Sequence, residues 1–253
     1  MRKTNVADIT NKITAGDCLK IMRQIPSESV DLLVTDPPYN VSQDGKVDCG
    51  LYKDDNGQER YARVLKDFGE WDKFTPQDFW AFTEAWLNQA VRIMKPNAWG
   101  YIFFTAGKIG MLHKLYRDLG LFRKNTLTWC KINPAPAIRQ DNWVSATEIL
   151  SVFCKGRVGI KNFLGQREMR NYIVTPSKTV YGESRHPTEK PVEVVSRLIR
   201  ASSSKNEIVL DPFLGSGTTA IAAIGLGRRF IGIEQDVKYI EMAKKRIKKH
   251  FNY

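Results

Sequence analysis

Two short apolar runs, each leading directly into an acidic turn, constrain the fold of this chain more than any other feature of its sequence. Residues 30–34 are almost continuously apolar, as expected for a strand buried in a parallel sheet, and they lead into Asp36-Pro37-Pro38-Tyr39. Residues 207–210 lead in the same way into Asp211-Pro212-Phe213-Leu214-Gly215-Ser216-Gly217-Thr218-Thr219. Ligands of open parallel sheets bind beyond the carboxyl ends of the strands. The two turns therefore predict one ligand cleft at one edge of an α/β sheet.

Segments with strand and helix patterns alternate along the rest of the chain, which is typical of a parallel sheet layered with helices. One helix is expected to begin after Thr75, a favoured N-cap followed by a proline. Its aromatic stripe, which includes Phe79, Phe82 and Trp86, is interpreted as core. The other expected elements are strands at 12–15, 99–104 and 229–233, an antiparallel pair at 126–131 and 148–154, and helices at 18–24, 108–119, 191–201, 220–226 and 237–249.

A length of 253 residues suits one domain, and the whole chain, 1–253, is interpreted as a single catalytic unit. Residues 41–72 are polar and rich in glycine, so a long mobile loop is expected there. Residues 155–185 are irregular and basic, and they form a second candidate functional segment. The chain has no apolar run of about eighteen residues and no apolar signal core near Met1, which predicts a cytoplasmic protein without a membrane partner.

Charge and the distribution of cysteine and histidine indicate which kinds of molecule or ion the protein could bind. The formal net charge of +12 suggests a polyanion. The four cysteines and three histidines are scattered and include no CxxC pair, so neither a zinc site nor any other metal site is predicted.

The glycine-rich turn after Asp211 has the layout of a nucleoside site. Gly215 and Gly217 allow close approach of backbone to a ligand, and Glu234 ends the next strand, where an acid can bind ribose hydroxyls. A P-loop would need a lysine before the threonine pair, and this turn has none. The pattern therefore favours a ligand with ribose and without a triphosphate.

The Asp36-Pro37-Pro38-Tyr39 turn suits chemistry on the exocyclic amine of a base. Such an amine is a poor nucleophile because its lone pair is delocalised into the ring, and a carboxylate with a backbone carbonyl could accept its two N–H bonds. Consecutive prolines fix the backbone, and the tyrosine could stack on a base taken out of a duplex. A rigid turn without chemistry is the alternative for this motif taken alone.

In combination, the motifs resemble the DNA amino-methyltransferase family, which methylates adenine N6 or cytosine N4. The resemblance rests on the two turns, on His186-Pro187-Thr188-Glu189-Lys190-Pro191, and on Trp129-Cys130-Lys131-Ile132-Asn133-Pro134 followed by Glu148, and it covers nearly the whole chain. The catalytic motif precedes the cofactor motif, which is the circularly permuted order of the β group. The resemblance implies a Rossmann-like, seven-stranded, mostly parallel sheet with one antiparallel strand, ordered 3-2-1-4-5-7-6, with residues 12–15 beside the strand that ends at Glu234.

The resemblance also implies roles for individual residues. Asp36, Pro37, Pro38 and Tyr39 would be catalytic, and Asp36 would also contact S-adenosylmethionine, the implied cofactor. Glu234 would bind ribose, Asp17 would face the cofactor's adenine, and Thr188 and Lys190 would lie near its methionine end, where Lys190 could meet a carboxylate. The remaining implied cofactor-binding residues are Cys18, Asp211, Phe213, Gly215, Ser216, Gly217 and Thr218.

Double-stranded DNA is the expected substrate, reached by base flipping and direct methyl transfer. Asp36 at the head of the motif favours adenine N6, since serine there tends to accompany cytosine N4 in the family. A homodimer and a cognate restriction endonuclease are candidate partners. Rival interpretations are an RNA or protein-amide methyltransferase and a module that binds S-adenosylmethionine or DNA without catalysis. The basic segment 155–185 is the candidate target-recognition insert, and the candidate DNA-binding residues are Arg139, Lys155, Arg157, Lys161, Arg167, Arg170, Lys178 and Arg185.

Overall fold

The computed structural model describes residues 4–40, 46–53, 57–65, 73–134, 142–176 and 189–251. The strands in these ranges are β1 (Lys12–Ala15), β2 (Val30–Thr35), β3 (Lys46–Lys53), β4 (Glu59–Leu65), β5 (Met94–Phe104), β6 (Phe122–Arg123), β7 (Leu127–Lys131), β8 (Thr147–Cys154), β9 (Tyr172–Thr175), β10 (Ile208–Asp211) and β11 (Arg229–Glu234). The helices are α1 (Val6–Ile9), α2 (Cys18–Met22), α3 (Pro76–Ile93), α4 (Ile109–Asp118), α5 (Val192–Ser202), α6 (Thr218–Gly225) and α7 (Val237–Phe251).

The main sheet has the strand order β1-β11-β10-β2-β5-β8-β7-β9, and the short strand β6 pairs with β8. Every neighbouring pair from β1 to β5 is parallel, whereas β8 is antiparallel to β5, β6 and β7. This confirms the predicted Rossmann-like α/β sheet with one reversed strand. Among the described residues the sheet has nine strands where seven were expected, because β6 and β9 are added to it.

The predicted adjacency of β1 and β11 is also present, with Ala15 opposite Glu234. The two strands that lead into acidic turns, β2 and β10, are direct neighbours, with Leu33 opposite Leu210. Parallel neighbours end at the same sheet edge, so Asp36 and Asp211 are brought together there. The circular permutation itself stays a prediction.

Two apolar clusters cover the two faces of the sheet. Leu33 points into one cluster with Trp86 of α3 and Tyr116 of α4, while Leu32 points into the other with Ile199 of α5. This alternation explains why residues 30–34 are apolar except at Asp31, because a strand with helices on both faces buries the side chains that point to either face. The sheet is therefore the rigid middle layer that positions the turns at its edge.

Helix α3 begins as its capping residues predict. The Thr75 side chain accepts a hydrogen bond from the Asp78 backbone N–H at 3.1 Å, and Pro76 occupies the first turn. Phe79 and Trp86 are buried as predicted, whereas Phe82 is only partly buried and lines the cavity described below. The aromatic stripe therefore packs in or against the core as predicted, and Phe82, at its margin, also contributes to the wall of the cavity.

Residues 41–72 were predicted as a loop, and the structure corrects this. Strands β3 and β4 pair with each other in antiparallel fashion and form a separate two-stranded sheet. The sequence signal was the turn-favouring pair Asn56-Gly57 between two runs that contain β-branched and aromatic residues. Charged residues and glycines in both runs hid the alternation expected of a strand.

The segment 155–185 was predicted to be irregular, yet it contains β9, which extends the sheet beyond β7. Only four residues pair there, which is too short for a periodic signal in the sequence. Within the ranges that the structure describes, no helix is long and apolar enough to span a membrane.

Candidate active site

A cavity of about 400 Å³ opens at the carboxyl ends of β1, β11, β10 and β2. Most of the residues predicted for the catalytic and cofactor sites line it, and they are Asp17, Cys18, Asp36, Pro37, Pro38, Tyr39, Lys190, Asp211, Phe213, Gly215, Ser216, Thr218 and Glu234. Thr188 lies outside the described residues. The two acidic turns therefore share one cleft at the sheet edge where the sequence predicted it.

Both carboxylate oxygens of Asp36 accept hydrogen bonds. Oδ2 accepts from Lys190 Nζ at 2.5 Å, and Oδ1 accepts from the hydroxyl group of Tyr39. Burial raises the pKa of Asp36, and the negative charge of Glu148 adds to this, while the Lys190 ammonium opposes it. Asp36 is still 24% exposed toward the cavity, so a ligand can reach its remaining lone pairs.

The two turns are tied together beneath the cavity. The buried hydroxyl of Thr35 donates to Asp211 Oδ1 at 2.8 Å, and the same oxygen accepts from the Phe213 backbone N–H at 3.1 Å. Burial raises the pKa of Asp211 to about 6, against these hydrogen bonds, which lower it. Asp211 therefore connects the turn that begins at Asp36 to its own turn through hydrogen bonds to both.

The Glu234 side chain stabilises the glycine-rich turn by accepting hydrogen bonds from backbone N–H groups. One carboxylate oxygen accepts from the Gly215 N–H at 2.8 Å, and the other accepts from the N–H groups of Gln235 and Asp236, each at 2.9 Å. Burial raises the pKa of Glu234, while these backbone bonds lower it. The same carboxylate lines the cavity, so Glu234 can both shape the turn and accept from a ligand.

Gly217 is not among the cavity-lining residues, although it was predicted to be. It has a positive φ of 84° and directly precedes α6, and a Cβ atom there would lie 2.8 Å from the Cβ of Ala243 in α7. Gly217 thus permits the helix start and the close packing of α6 against α7. Its smallness serves the helix contact rather than the approach of a ligand.

Arg246 of α7 was missed by the sequence analysis, which gave the helix 237–249 no part in the site. Its guanidinium donates to the backbone oxygen of Ser216 at 2.5 Å and to Glu189 Oε1 at 3.0 Å. It thereby links the glycine-rich turn to the segment that carries Lys190. A single arginine among the lysines of a basic helix gives no sequence signal for this role.

Asp17 and Cys18 sit at the start of α2. The Asp17 side chain accepts from the Lys20 backbone N–H at 2.8 Å, as an N-cap does, and it also lines the cavity. Burial, with a smaller effect from the Asp17 charge, raises the pKa of Cys18 to about 12, so its thiol stays protonated.

Lys108 is another residue without a sequence signal. Its Nζ donates to the backbone oxygens of Tyr39 at 2.6 Å and of Asn40 at 2.9 Å, and it lies 4.5 Å from the ring centre of Phe79. The Asn40 side chain accepts from the Phe74 N–H at 3.0 Å. These contacts fix the chain where it leaves the catalytic turn.

The candidate DNA-binding residues do not gather at the cavity. Cys154 lies opposite Trp99 near the amino end of the parallel strands, and the Lys155 ammonium donates to the backbone oxygen of Met94 in the same region. Lys161 pairs with Glu207, just before β10. Arg157 stacks over Phe122, Arg170 contacts Tyr172, and Arg167 is exposed. Three further candidates, Arg139, Lys178 and Arg185, lie outside the described residues.

No group of three or more potential metal-ligating His, Cys, Asp or Glu side chains occurs in the part of the chain that the structure describes. The cavity offers carboxylates, aromatic rings and backbone groups instead, which suits an organic ligand.

Comparison with known proteins agrees with this geometry. A family model described as DNA methylase matches residues 30–245. The type II methyltransferase M.HinfI of Haemophilus influenzae is 33% identical over 264 residues, covering 98% of this chain and 71% of the relative. The chain belongs to the DNA methylase family, whose members act on adenine N6 or cytosine N4 and use S-adenosylmethionine.

Solved structures give the same result. The M1.HpyAVI–SAM complex has a TM-score of 0.69 at 25% identity, covering 93% of this chain and 98% of that chain. The PvuII DNA methyltransferase, which is cytosine-N4-specific, has a TM-score of 0.69 at 16% identity, covering 95% of this chain and 91% of that one, and shows a shared fold. The predicted family, fold and cofactor are thus confirmed, while the target base is not distinguished.

Proposed function

We propose that this chain transfers a methyl group from S-adenosylmethionine to adenine N6 in double-stranded DNA. The observation that carries the proposal is the position of Asp36 and Tyr39, which are hydrogen-bonded to each other on the wall of the acid-lined cavity.

The cavity fits the cofactor of the family in size and chemistry. Its volume of about 400 Å³ lies within the range of pockets that take small organic ligands. Asp17, Asp236 and Glu234 supply carboxylates for a positively charged ligand with ribose hydroxyls, and Phe213 and Tyr239 supply aromatic surface. When bound, S-adenosylmethionine supplies an already activated methyl group. Only positioning and charge stabilisation are then left to the protein.

Asp36 and the Pro37 carbonyl are the proposed acceptors for the two N–H bonds of the target amine. As positive charge develops on that nitrogen during direct in-line transfer, both acceptors become more effective. Tyr39 would stack on the flipped base, and its ring is already held edge-on against Phe104 at a centroid distance of 6.1 Å. No covalent enzyme intermediate is required.

Adenine is preferred over cytosine because the catalytic turn begins with aspartate. Serine in that position tends to accompany cytosine N4 in the family, and the alternative target for this chain is therefore cytosine N4. The protein-amide alternative is weaker, because such enzymes more often begin the motif with asparagine.

The DNA is expected to approach the edge that carries Asp36, and residues 132–134 and 142–146, the described parts of the connection between β7 and β8, lie at that edge. Ile132 is exposed there, and Trp143 is 94% exposed, an unusual position for so large an apolar side chain. Since the 155–170 candidates lie toward the opposite edge, we expect this connection to contribute more to DNA contact than they do.

The test is to incubate the protein with S-adenosylmethionine and unmethylated genomic DNA, and to identify methylated nucleosides by mass spectrometry. N6-methyladenine is the expected product. N4-methylcytosine would keep the mechanism and overturn the target base. Cofactor binding without any methylated nucleoside would favour an RNA substrate or the non-catalytic alternative.

Replacing Lys108 with methionine is expected to lower kcat about tenfold, because misplacing the catalytic turn by a fraction of an ångström weakens the alignment of Tyr39 and Asp36. Cofactor affinity, measured by calorimetry, should change little. Lys114→Met in the following helix α4 is the matched control, since the Lys114 side chain is exposed and pairs with Asp118 on the surface of that helix. Equal kcat in the Lys108 variant and the control would contradict the positioning role.

A further inference from the structure

Four charged side chains form a continuous chain of alternating sign that ends at the catalytic carboxylate. Asp36 Oδ2 lies 2.5 Å from Lys190 Nζ, Lys190 Nζ lies 3.3 Å from Glu148 Oε2, and Glu148 Oε1 lies 2.8 Å from Lys131 Nζ. Lys190 is only 7% exposed, and Lys131 and Glu148 are 18% and 27% exposed. Poorly hydrated charges at these distances interact strongly.

The reversed strand β8 makes this arrangement possible. Because β8 runs against its neighbours, its first residues, including Glu148, lie at the edge where β2 and β7 end. Trp129 of β7 is opposite Glu148, so Lys131, the last residue of β7, is two residues further toward the same edge. Lys190 enters from the segment before α5. Three separate parts of the chain therefore meet at Asp36.

We propose that Glu148 is a positioning residue of the reaction, which acts by sharing the charge of Lys190 and so keeps Asp36 a strong acceptor for the target amine. The inference rests on the proposed role of Asp36. It assigns Lys190 to the support of Asp36 rather than to a carboxylate of the cofactor.

The geometry around Lys190 supports this assignment. The Lys190 ammonium lies within ion-pair distance of two carboxylates, 2.5 Å from Asp36 Oδ2 and 3.3 Å from Glu148 Oε2. The ammonium also lies 5.2 Å from the ring centre of Phe103 and 5.9 Å from that of Tyr39. With Asp36 as its sole carboxylate partner, Lys190 would withdraw more of the negative charge that the amine needs. Glu148 divides that attraction between two anions.

The pKa shifts of Lys190 and Glu148 favour their charged forms, as the chain of alternating charges requires. Burial alone would lower the pKa of Lys190, but Asp36 and Glu148 raise it overall, so the ammonium persists. Burial alone would raise the pKa of Glu148, but Lys190 and Lys131 lower it, so the carboxylate persists. Among the described residues, the charged or titratable groups that face Asp36 are Lys190, Glu148, Tyr39 and Asp211.

Opposite charges next to Asp36 predict opposite effects. Glu148→Gln removes a negative charge and should lower the pKa of Asp36, shifting the acid limb of the methylation rate down by about one pH unit. Lys190→Gln removes a positive charge and should shift that limb up by about one pH unit. We also expect kcat of Glu148→Gln to fall about tenfold at neutral pH. A role in packing alone would not give shifts of opposite sign.

The experiment measures the Asp36 carboxyl titration directly. Protein labelled with ¹³C at aspartate side chains is titrated by NMR without cofactor, with Asp36→Asn used to assign the signal, and methylation rates are then measured across pH. Glu241→Gln is the matched control, because Glu241 pairs with Lys244 at an exposed site, and neither readout should move. If Lys190→Gln fails to fold, Lys190→Arg, which keeps the positive charge, should show the wild-type acid limb of the pH–rate profile. The Asp36 titration in Glu148→Gln still tests the inference in that case.

An unshifted Asp36 titration in Glu148→Gln, or shifts of the same sign in both variants, would overturn the inference even if the wild type methylates adenine. Full activity of Asp36→Asn would instead overturn the proposed role of Asp36, while the titration would still report on the charge chain. The two failures are therefore distinguishable.

Discussion

Asp36→Asn is expected to lower kcat at least about 100-fold, the magnitude seen when one preorganised charge-stabilising group is removed from an active site. Asparagine keeps the size of the side chain and one acceptor oxygen, but it loses the negative charge that meets the developing positive charge on the amine. The nearby Lys190 ammonium would then stand beside a neutral group, which further disfavours that charge. Single-turnover methyl transfer with saturating cofactor and DNA measures the effect on the chemical step.

The control for this variant is Asp8→Asn, which makes the same chemical change at an exposed position of α1. Both proteins should have melting temperatures close to that of the wild type, and both should bind the cofactor. A kcat of Asp36→Asn within a few-fold of the wild type would remove this carboxylate from the mechanism.

Asp211→Asn is expected to stabilise the cofactor-free protein by up to about 3 kcal/mol above neutral pH. Burial raises the pKa of Asp211 from 3.8 to about 6 in the folded state. A raised folded-state pKa means that Asp211 contributes stability below about pH 4 and loses that contribution as pH rises through about 6. Asparagine does not ionise, so the free energy of unfolding of the variant should rise relative to that of the wild type as pH increases through this range. The gain should be about half complete near pH 5.

Urea unfolding at several pH values measures this difference. The matched control is Asp118→Asn, at an exposed position of α4, which should change stability by less than about 0.5 kcal/mol at every pH. A stability gain in Asp211→Asn that does not grow with pH would contradict the assigned ionisation.

Cofactor affinity should fall in the same variant, because the turns that Asp211 organises also line the cavity. Stability and function would then be in opposition at this residue.

The sequence was most informative where local chemistry and burial agree. The run 30–34 is apolar at every position except Asp31 because both faces of β2 are covered, and the two acidic turns lie directly after the ends of β2 and β10. Thr75 and Pro76 marked the start of α3 because capping is a short-range effect. These features predicted the fold class and the sheet edge of the site, whereas most of its lining residues were implied by the family resemblance.

Contacts between side chains distant in the sequence could not be predicted from local sequence patterns. The pairing of Lys190 with Asp36 joins residues 154 positions apart, and that of Arg246 with Glu189 joins residues 57 positions apart. Neither lysine nor arginine carries a local pattern that names its partner. The basic segment 155–185 was predicted from composition alone, which says nothing about the edge of the sheet at which its residues lie. The hairpin of β3 and β4 was missed because its charged and glycine residues obscured a two-residue period.

The pairing of Ala15 with Glu234 has a consequence for biosynthesis. On the ribosome, β1 emerges well before β11, which is its partner in the main sheet within the described residues. The nascent chain must therefore carry β1 as an unpaired strand, and one side of the cavity without the other, until β11 has been synthesised. The cofactor can stabilise only a state in which both sides are present, so it cannot assist folding until Glu234 has been synthesised. Premature termination before that residue should give a chain that S-adenosylmethionine does not rescue.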